Sequence, residues 1–259
     1  LYEKQRKVMV AGIGHDLATP LTAVNGFADG ILQGLAKTPE QQRHYVELIA
    51  TRAKVMTGLV ESLREFSKLD TGTLPIRLQT VDIVEYFSQY LMERKDIYAE
   101  RGLRFLAKIP VDEKLFVRID GQQFERIVTN VVENAIKYAG NNSLAPASLA
   151  LDYQVIETDF QEPITMDFSM SVTKEAHRVH IILGDFGKGV DEKDLDKLFD
   201  VFYRTDSSRT NVASGSGLGL AIVKQLITSM DGTVMAKNRL TGGLEIHVEL
   251  PLVSSHANV

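Results

Sequence analysis

Gly14-His15-Asp16-Leu17-Ala18-Thr19-Pro20-Leu21 is the stretch on which the reading of this chain turns. It lies inside a long helical pattern, because Val10, Ile13, Leu17, Val24 and Ile31 fall at steps of three, four and seven and share one helical face. His15 is two residues from both Ile13 and Leu17, so it points away from that stripe. Pro20 lacks the N–H that would bond the Asp16 carbonyl, and a kink is expected just after His15. An imidazole beside a carboxylate can serve as a nucleophile. The carboxylate accepts from one ring nitrogen and fixes the tautomer, and the other nitrogen is left to attack. By spacing alone, the same pair also reads as a surface His next to an Asp.

Moving outward, the polar stretch Gly34–Pro39 interrupts the pattern, and a second helix begins with Thr38 as cap, Pro39 at the first helical position and Glu40 in the first turn. Val55, Leu59, Leu63 and Phe66 form its stripe, and it should end near Leu69, ahead of Thr71-Gly72-Thr73-Leu74-Pro75. Two long amphipathic helices joined by a short loop make a hairpin. One hairpin buries both stripes poorly, so pairing into a four-helix dimer is the natural completion. Beyond Leu74 the texture changes to short strands and helices. Arg104–Ala107, Leu115–Ile119, Met166–Val172, Arg178–Leu183, Gly232–Lys237 and Gly243–Glu249 read as strands, and Gln122–Tyr138 and Leu218–Met230 as helices. That order predicts an α+β chain: a hairpin over about 1–70, then an α/β sandwich over about 76–253 with helices on one face of a mostly antiparallel sheet. Gly140–Pro163 fits no element and reads as a long loop or flap.

The composition narrows the chemistry. The chain has 259 residues, a formal charge of −5 and no Cys. That excludes disulfides, thiolate metal sites and a Cys nucleophile, and it offers no general basic surface for nucleic acid. No apolar run approaches the ~18 residues of a membrane helix. The chain begins at Leu1 rather than Met, which reads as a fragment whose upstream portion is not seen.

Three further groups bear on chemistry. Asn130, Asn134, Lys137 and Tyr138 are spaced by four, three and one along the helix 122–138 and cluster on one side of it. Amide oxygens suit Mg²⁺, a Lys can neutralise phosphate and a Tyr ring can lie against a base; a polar surface face is the plain alternative. Asp185-Phe186-Gly187-Lys188-Gly189 follows a strand, so its carboxylate could accept from an exocyclic amine such as that of adenine, and its glycines permit close backbone approach. Gly215-Ser216-Gly217-Leu218-Gly219-Leu220 opens a helix, where free amides and the dipole favour phosphate. The polar loop before it excludes a Rossmann unit, and the missing Gly-Lys-Ser/Thr excludes a P-loop. Residues 204–214 read as a lid over nucleotide. His177-x-x-His180 looks like a metal pair but straddles two faces of a strand and reads as structural. Asp191-Glu192 to Lys197 reads as a solvated helix start, and His44 and His247 have no visible partners.

In this order the pieces resemble the cytoplasmic core of two-component sensor histidine kinases. His15-Asp16-Leu17-Ala18-Thr19-Pro20-Leu21 resembles the H-box, although Ala18 stands where a basic residue is common. The resemblance implies that His15 accepts the γ-phosphoryl group of ATP, that Asp16 is the general base and that Thr19 orients water for dephosphorylating the partner. Asn130, Asn134, Lys137 and Tyr138 resemble the N-box, with Asn134 the expected Mg²⁺ ligand. Asp185, Gly187 and Gly189 resemble the G1 box, with Phe186 where Asn is usual. Leu198 to Arg204 resembles the F-box, with Arg204 a candidate for the γ-phosphate, and Gly215, Gly217 and Gly219 resemble G2. The gap from Tyr138 to Asp185 is longer than usual, which marks Gly140–Pro163 as an insertion.

The implied fold is a dimerising hairpin joined to an ATP-binding sandwich of the gyrase, chaperone and histidine-kinase type. The implied activity is ATP- and Mg²⁺-dependent autophosphorylation of His15, transfer to an Asp of a response-regulator receiver domain, and phosphatase activity toward that regulator. The expected partners are a second copy of the chain and the regulator, with no nucleic acid. The expected setting is the cytoplasmic part of a membrane sensor whose anchor precedes Leu1. Two other readings stand beside it. One is a non-catalytic signalling scaffold that binds nucleotide. The other is an ATPase of the wider fold superfamily, against which Asn130 occupies the position of the catalytic Glu.

Overall fold

The computed structural model describes residues 2–138, 154–156, 164–173, 177–205 and 216–254, without side-chain detail at 2–11, His15 and 154–156. Most of the flap expected at 140–163, the lid residues 206–214 and Gly215 lie outside the described residues. The chain forms two compact units. One is the hairpin through Leu74 with Asp200–Arg204 and Gly215–Gly219; the other is Pro75–Phe199, Thr205–Ser214 and the chain from Leu220 onward.

In the first unit, α1 (Tyr2–Leu32) runs through Pro20, and α2 (Pro39–Asp70) follows the short loop. Thr38 caps α2. Its hydroxyl accepts from the Gln41 amide at 3.2 Å, while the Gln41 side chain accepts from the Thr38 amide, so two orphan donors are satisfied reciprocally. Phe27 of α1 meets Tyr45 of α2 edge-on at 5.6 Å. Leu21, Val46, Val55 and Val60 nonetheless remain exposed. No described helix is long and apolar enough to cross a membrane.

The second unit is built on a six-stranded sheet. Its strands are β2 (Leu103–Lys108), β4 (Gln154–Ile156), β5 (Ile164–Thr173), β6 (Arg178–Asp185), β7 (Thr233–Asn238) and β8 (Leu244–Pro251), in the order β4-β2-β5-β6-β8-β7. Only β2 and β5 run parallel. A two-stranded ribbon pairs β1 (Gln79–Asp82) with β3 (Phe116–Ile119). α3 (Ile83–Ala99) packs on β2, and α4 (Gly121–Tyr138) on β5 and β6. A short α5 (Glu192–Leu195) lies by β7, and α6 (Gly219–Ser229) precedes β7 in the chain.

The core forms where alternate strand residues meet the helices. Phe168 of β5 stands 4.8 Å from Phe105 of β2 and 5.5 Å from Phe87 of α3, and Phe87 stands 6.2 Å from Phe124 of α4. Met166, Val179, Ile181, Leu183, Ile246 and Val248 share the burial. The predicted strands and the two predicted helices are all present. Not foreseen are β1, β4 and the 17 residues of α3. α3 is rich in aromatic and β-branched residues with weak helix propensity, yet it starts on a cap, with Asp82 Oδ1 accepting from the Val84 amide at 3.1 Å.

Phe168 joins the sheet to α3 through Phe87, so its truncation leaves a cavity that several elements cannot close. Phe168→Ala should cost about 3–5 kcal/mol. Denaturant unfolding followed by circular dichroism should show that loss; a change under ~1 kcal/mol would refute its central place.

Candidate nucleotide site

α4 supplies four of the expected residues. Asp120 anchors its first turn, where Oδ1 accepts from the Gln123 amide at 3.2 Å and Oδ2 from the Arg77 amide at 2.8 Å. Phe124, Ile127, Val128, Val131, Val132 and Ala135 face the sheet and the core. Asn130 and Asn134 therefore fall on the flank of that face, half-buried, with Lys137 and Tyr138 exposed at the last turn. Nδ2 of Asn130 is buried without a hydrogen-bond partner among the described residues. A buried amide nitrogen left open in this way is an expected site for a ligand's oxygen.

β6 carries the other half. α4 crosses it, and it ends at Asp185. Asp185 Oδ1 accepts from the amides of Gly187, at 2.8 Å, and Leu244, at 3.2 Å. Those two bonds aim the carboxylate and leave Oδ2 with its lone pairs. Burial pushes the Asp185 carboxyl above its ordinary range, and the two amides oppose that rise. Gly189 follows at φ 69°, where a Cβ would stand 2.7 Å from Asn238 Oδ1, the atom that also accepts from the Val190 amide. The Asp185–Gly189 turn is thus tied to β7 and β8 at several points.

The first unit holds the remaining pieces. Gly217, at φ 66°, lies so close to Phe202 that a Cβ would come within 2.9 Å of its backbone, and the Phe202 amide donates to the Gly217 carbonyl at 3.0 Å. Arg204 is half-buried on the same segment, and Gly219 begins α6. On the hairpin, Ile13, Asp16 and Leu17 of α1 with Leu59, Val60 and Leu63 of α2 and Phe202 line a small, nearly apolar recess. Asp16 is half-buried, Thr19 exposed, and His15 sits on α1 one position before Asp16.

The family profile described as "Histidine kinase-, DNA gyrase B-, and HSP90-like ATPase" matches residues 119–254, which include α4, the Asp185 turn and the sheet from β5 to β8. The chain belongs to this family. The profile of the "His Kinase A (phospho-acceptor) domain" matches residues 5–72, the hairpin. The two domains in this order make the core of a two-component histidine kinase. The sensor histidine kinase WalK of Bacillus subtilis (strain 168) is 27% identical over 249 residues, covering 96% of this chain. The chain spans only 37% of that relative's length. Among solved structures, the Acinetobacter baumannii histidine kinase AdeS superposes with a TM-score of 0.64 at 21% identity, over 93% of this chain and 98% of that one. The histidine kinase ThkA, solved in complex with response regulator protein TrrA, gives 0.66 at 18% identity, over 97% and 65%. Both likenesses establish the fold.

Sequence spacing did not reveal what lies on the opposite face of the sheet. Asp167 of β5, Gly184 of β6 and Glu245 of β8 are cross-strand neighbours there. Arg239 pairs with Asp167, and its Nε lies 3.0 Å from Glu245 Oε1. Glu245 Oε2 is 2.9 Å from His247 Nε2, and His247 Nδ1 is 2.9 Å from His180 Nε2. The imidazole of His247, expected to have no partner, stacks on that of His180, read from sequence as structural, at 5.0 Å. Glu245 Oε2 accepts from the N–H at His247 Nε2, which leaves His247 Nδ1 to accept from His180.

Burial holds the His247 imidazole below its ordinary range, against the pull of Glu245, with His180 and Lys237 adding to the depression. Glu249, opposite His180, and Arg239 complete the charged surroundings. The unfolded chain then binds a proton that the fold refuses, so the stability from this group is complete above about pH 6.5 and declines as pH falls. Thermal melts between about pH 7.5 and 5.5 should drop more steeply for the wild type than for His247→Gln. Parallel curves would show that His247 does not titrate on unfolding.

Proposed function

We propose that this chain autophosphorylates on His15 with ATP and passes the phosphoryl group to an aspartate of a response-regulator receiver domain. The observation that carries the reading is the pairing, in one chain, of a phospho-acceptor hairpin bearing His15-Asp16 with a nucleotide fold whose α4 keeps a buried, unsatisfied Asn130 amide. A ring nitrogen of His15 attacks the γ-phosphorus, the bond to the β,γ-bridging oxygen breaks, and ADP leaves. Asp16 takes the proton lost from the other ring nitrogen.

Asp185 reads the adenine 6-amine through its open oxygen. Asn130 and Asn134 flank the phosphates, and the amide oxygen of Asn134 would hold Mg²⁺, which would neutralise phosphate charge when bound. Lys137 and Arg204 add positive charge, Tyr138 offers a ring to the nucleotide, and Gly215, Gly217 and Gly219 let the backbone approach the phosphates. The donor set fits this assignment, since amide oxygens with phosphate and water suit a hard cation that rarely takes an all-protein cage.

The exposed apolar residues on α1 and α2 support a homodimer closing a four-helix bundle. The regulator partner is supported by ThkA, which was solved with one. Thr19, exposed one turn beyond His15, supports a phosphatase step in which it orients water. The reading places this core on the cytoplasmic side of a membrane sensor and divides it as 1–70 and 76–253.

Incubation with γ-labelled ATP and Mg²⁺ tests the assignment. The wild type should acquire acid-labile phosphate, His15→Gln none, and Asp16→Asn should label about 10²-fold more slowly. Labelling of His15→Gln would move the acceptor elsewhere. Nucleotide binding without any labelling would favour the non-catalytic scaffold.

A further inference from the structure

We propose that Arg239 is a positioning residue of the nucleotide site, a clamp that holds the Asp185–Gly189 turn in the shape that reads the adenine 6-amine. The inference rests on the reading of Asp185 given above. Arg239 stands at the end of β7, and its side chain is 7% exposed. Its guanidinium lies over the ring of Phe186 at 4.2 Å, directly within the turn. The same group pairs with Asp167 and Glu245, two carboxylates on strands that flank β6. Its backbone amide donates to the Gly243 carbonyl at 3.0 Å. The next residue, Leu244, supplies one of the two amides that hold Asp185 Oδ1. Arg239 therefore grips the turn twice, through the face of Phe186 and through the segment that delivers the Leu244 amide.

Gly184 makes the room. It lies between Asp167 and Glu245 in register, and a Cβ there would come within 2.8 Å of Arg239 Nη2. The guanidinium crosses the strand over this missing side chain. Neither feature is what stability alone would select. A glycine inside a central strand weakens it, and a buried ion pair returns little net stability for the water it gives up. Both lie next to Asp185, where they fix geometry. Burial pushes the Asp167 carboxyl up, and the neighbouring Arg239 opposes that rise.

The planar fork matters as much as the charge, because only a guanidinium can lie over Phe186 while pairing with two carboxylates. Calorimetry on the full chain with Mg²⁺ compares ATP with inosine triphosphate, which carries a keto oxygen in place of the 6-amine. The wild type should prefer ATP by about 10- to 100-fold, the worth of one buried hydrogen bond to a charged acceptor. Arg239→Lys keeps the charge beside Asp167 and should fold, but its preference should shrink to about 3-fold through weaker ATP binding. Arg239→Met combined with Asp167→Asn removes the more deeply buried carboxylate with the guanidinium, leaves Glu245 its contact with His247, and should show the same loss with little change in thermal midpoint.

A merely structural role would weaken both nucleotides alike and leave the ratio intact. A full wild-type ratio in folded Arg239→Lys, or in the folded double variant, overturns the clamp while leaving the Asp185 reading in place. Equal affinity of the wild type for the two nucleotides overturns that reading and the clamp with it.

Discussion

The antiparallel register between β6 and β8 is the constraint on which the nucleotide end of the sheet depends. It sets Gly184 opposite Glu245, so the last residue of β6, Asp185, falls beside the start of β8. Only in that register can the Leu244 amide reach Asp185 Oδ1 while the Gly187 amide closes the turn from the other side. A slip of one residue would exchange the two faces of the strand. Leu183 would leave the core, and Asp185 would lose its aim. The apolar alternation of Val179, Ile181 and Leu183 against Ile246, Val248 and Leu250 forbids that slip. The core and the site are thus secured by the same pairing.

The sheet's second face extends the argument. A half-exposed face could have carried unrelated polar residues. Instead it carries a continuous chain from Asp167 through Arg239 and Glu245 to His247 and His180. Each member lies within ion-pair or hydrogen-bond distance of the next. His247 is 7% exposed and Asp167 1%, so neither can rely on water instead. The stacked imidazoles therefore close the far end of a network whose near end lies on Phe186.

How much of this was legible in the sequence follows from how local each signal is. The hairpin was readable because Thr38-Pro39-Glu40 declares a helix start within three residues, and the structure adds only the reciprocal Gln41 bond. α4 was readable because its stripe is strongly periodic. α3 was not, because Phe87, Tyr90 and Tyr98 suggest strand until their spacing is laid on a helix; its cap at Asp82, with Glu85 in the first turn, was the overlooked cue. β4 is three residues at an edge, placed by its pairing with β2 rather than by its own composition. The residues of the Asp185 turn were legible as a motif. Their restraints were not, since Arg239 meets Asp167 across 72 positions of chain and His180 meets His247 across 67. One sequence signal could have pointed there: a glycine standing inside a strand pattern immediately before a candidate binding carboxylate.

The carboxylates of α4 decide what kind of chemistry the nucleotide domain can do. An ATPase of this fold needs a side chain on that helix able to take a proton from water. Asn130, an amide, cannot take one near neutral pH. The acids on the same helix are committed elsewhere. Glu125 is paired with Arg94 of α3, and Glu133 forms two bonds with Arg101, which hold its carboxyl below the ordinary range. A carboxylate stabilised in that way is a weaker base as well as a misdirected one. Neither acid on α4 is therefore free to activate water. A nucleophile for the γ-phosphorus has to come from outside that helix, and a histidine that needs only a neighbouring Asp to shed its proton meets the requirement. In the reading proposed above, His15-Asp16 on α1 would supply that pair in the same chain, so the proposed reaction draws on both the hairpin and the nucleotide fold.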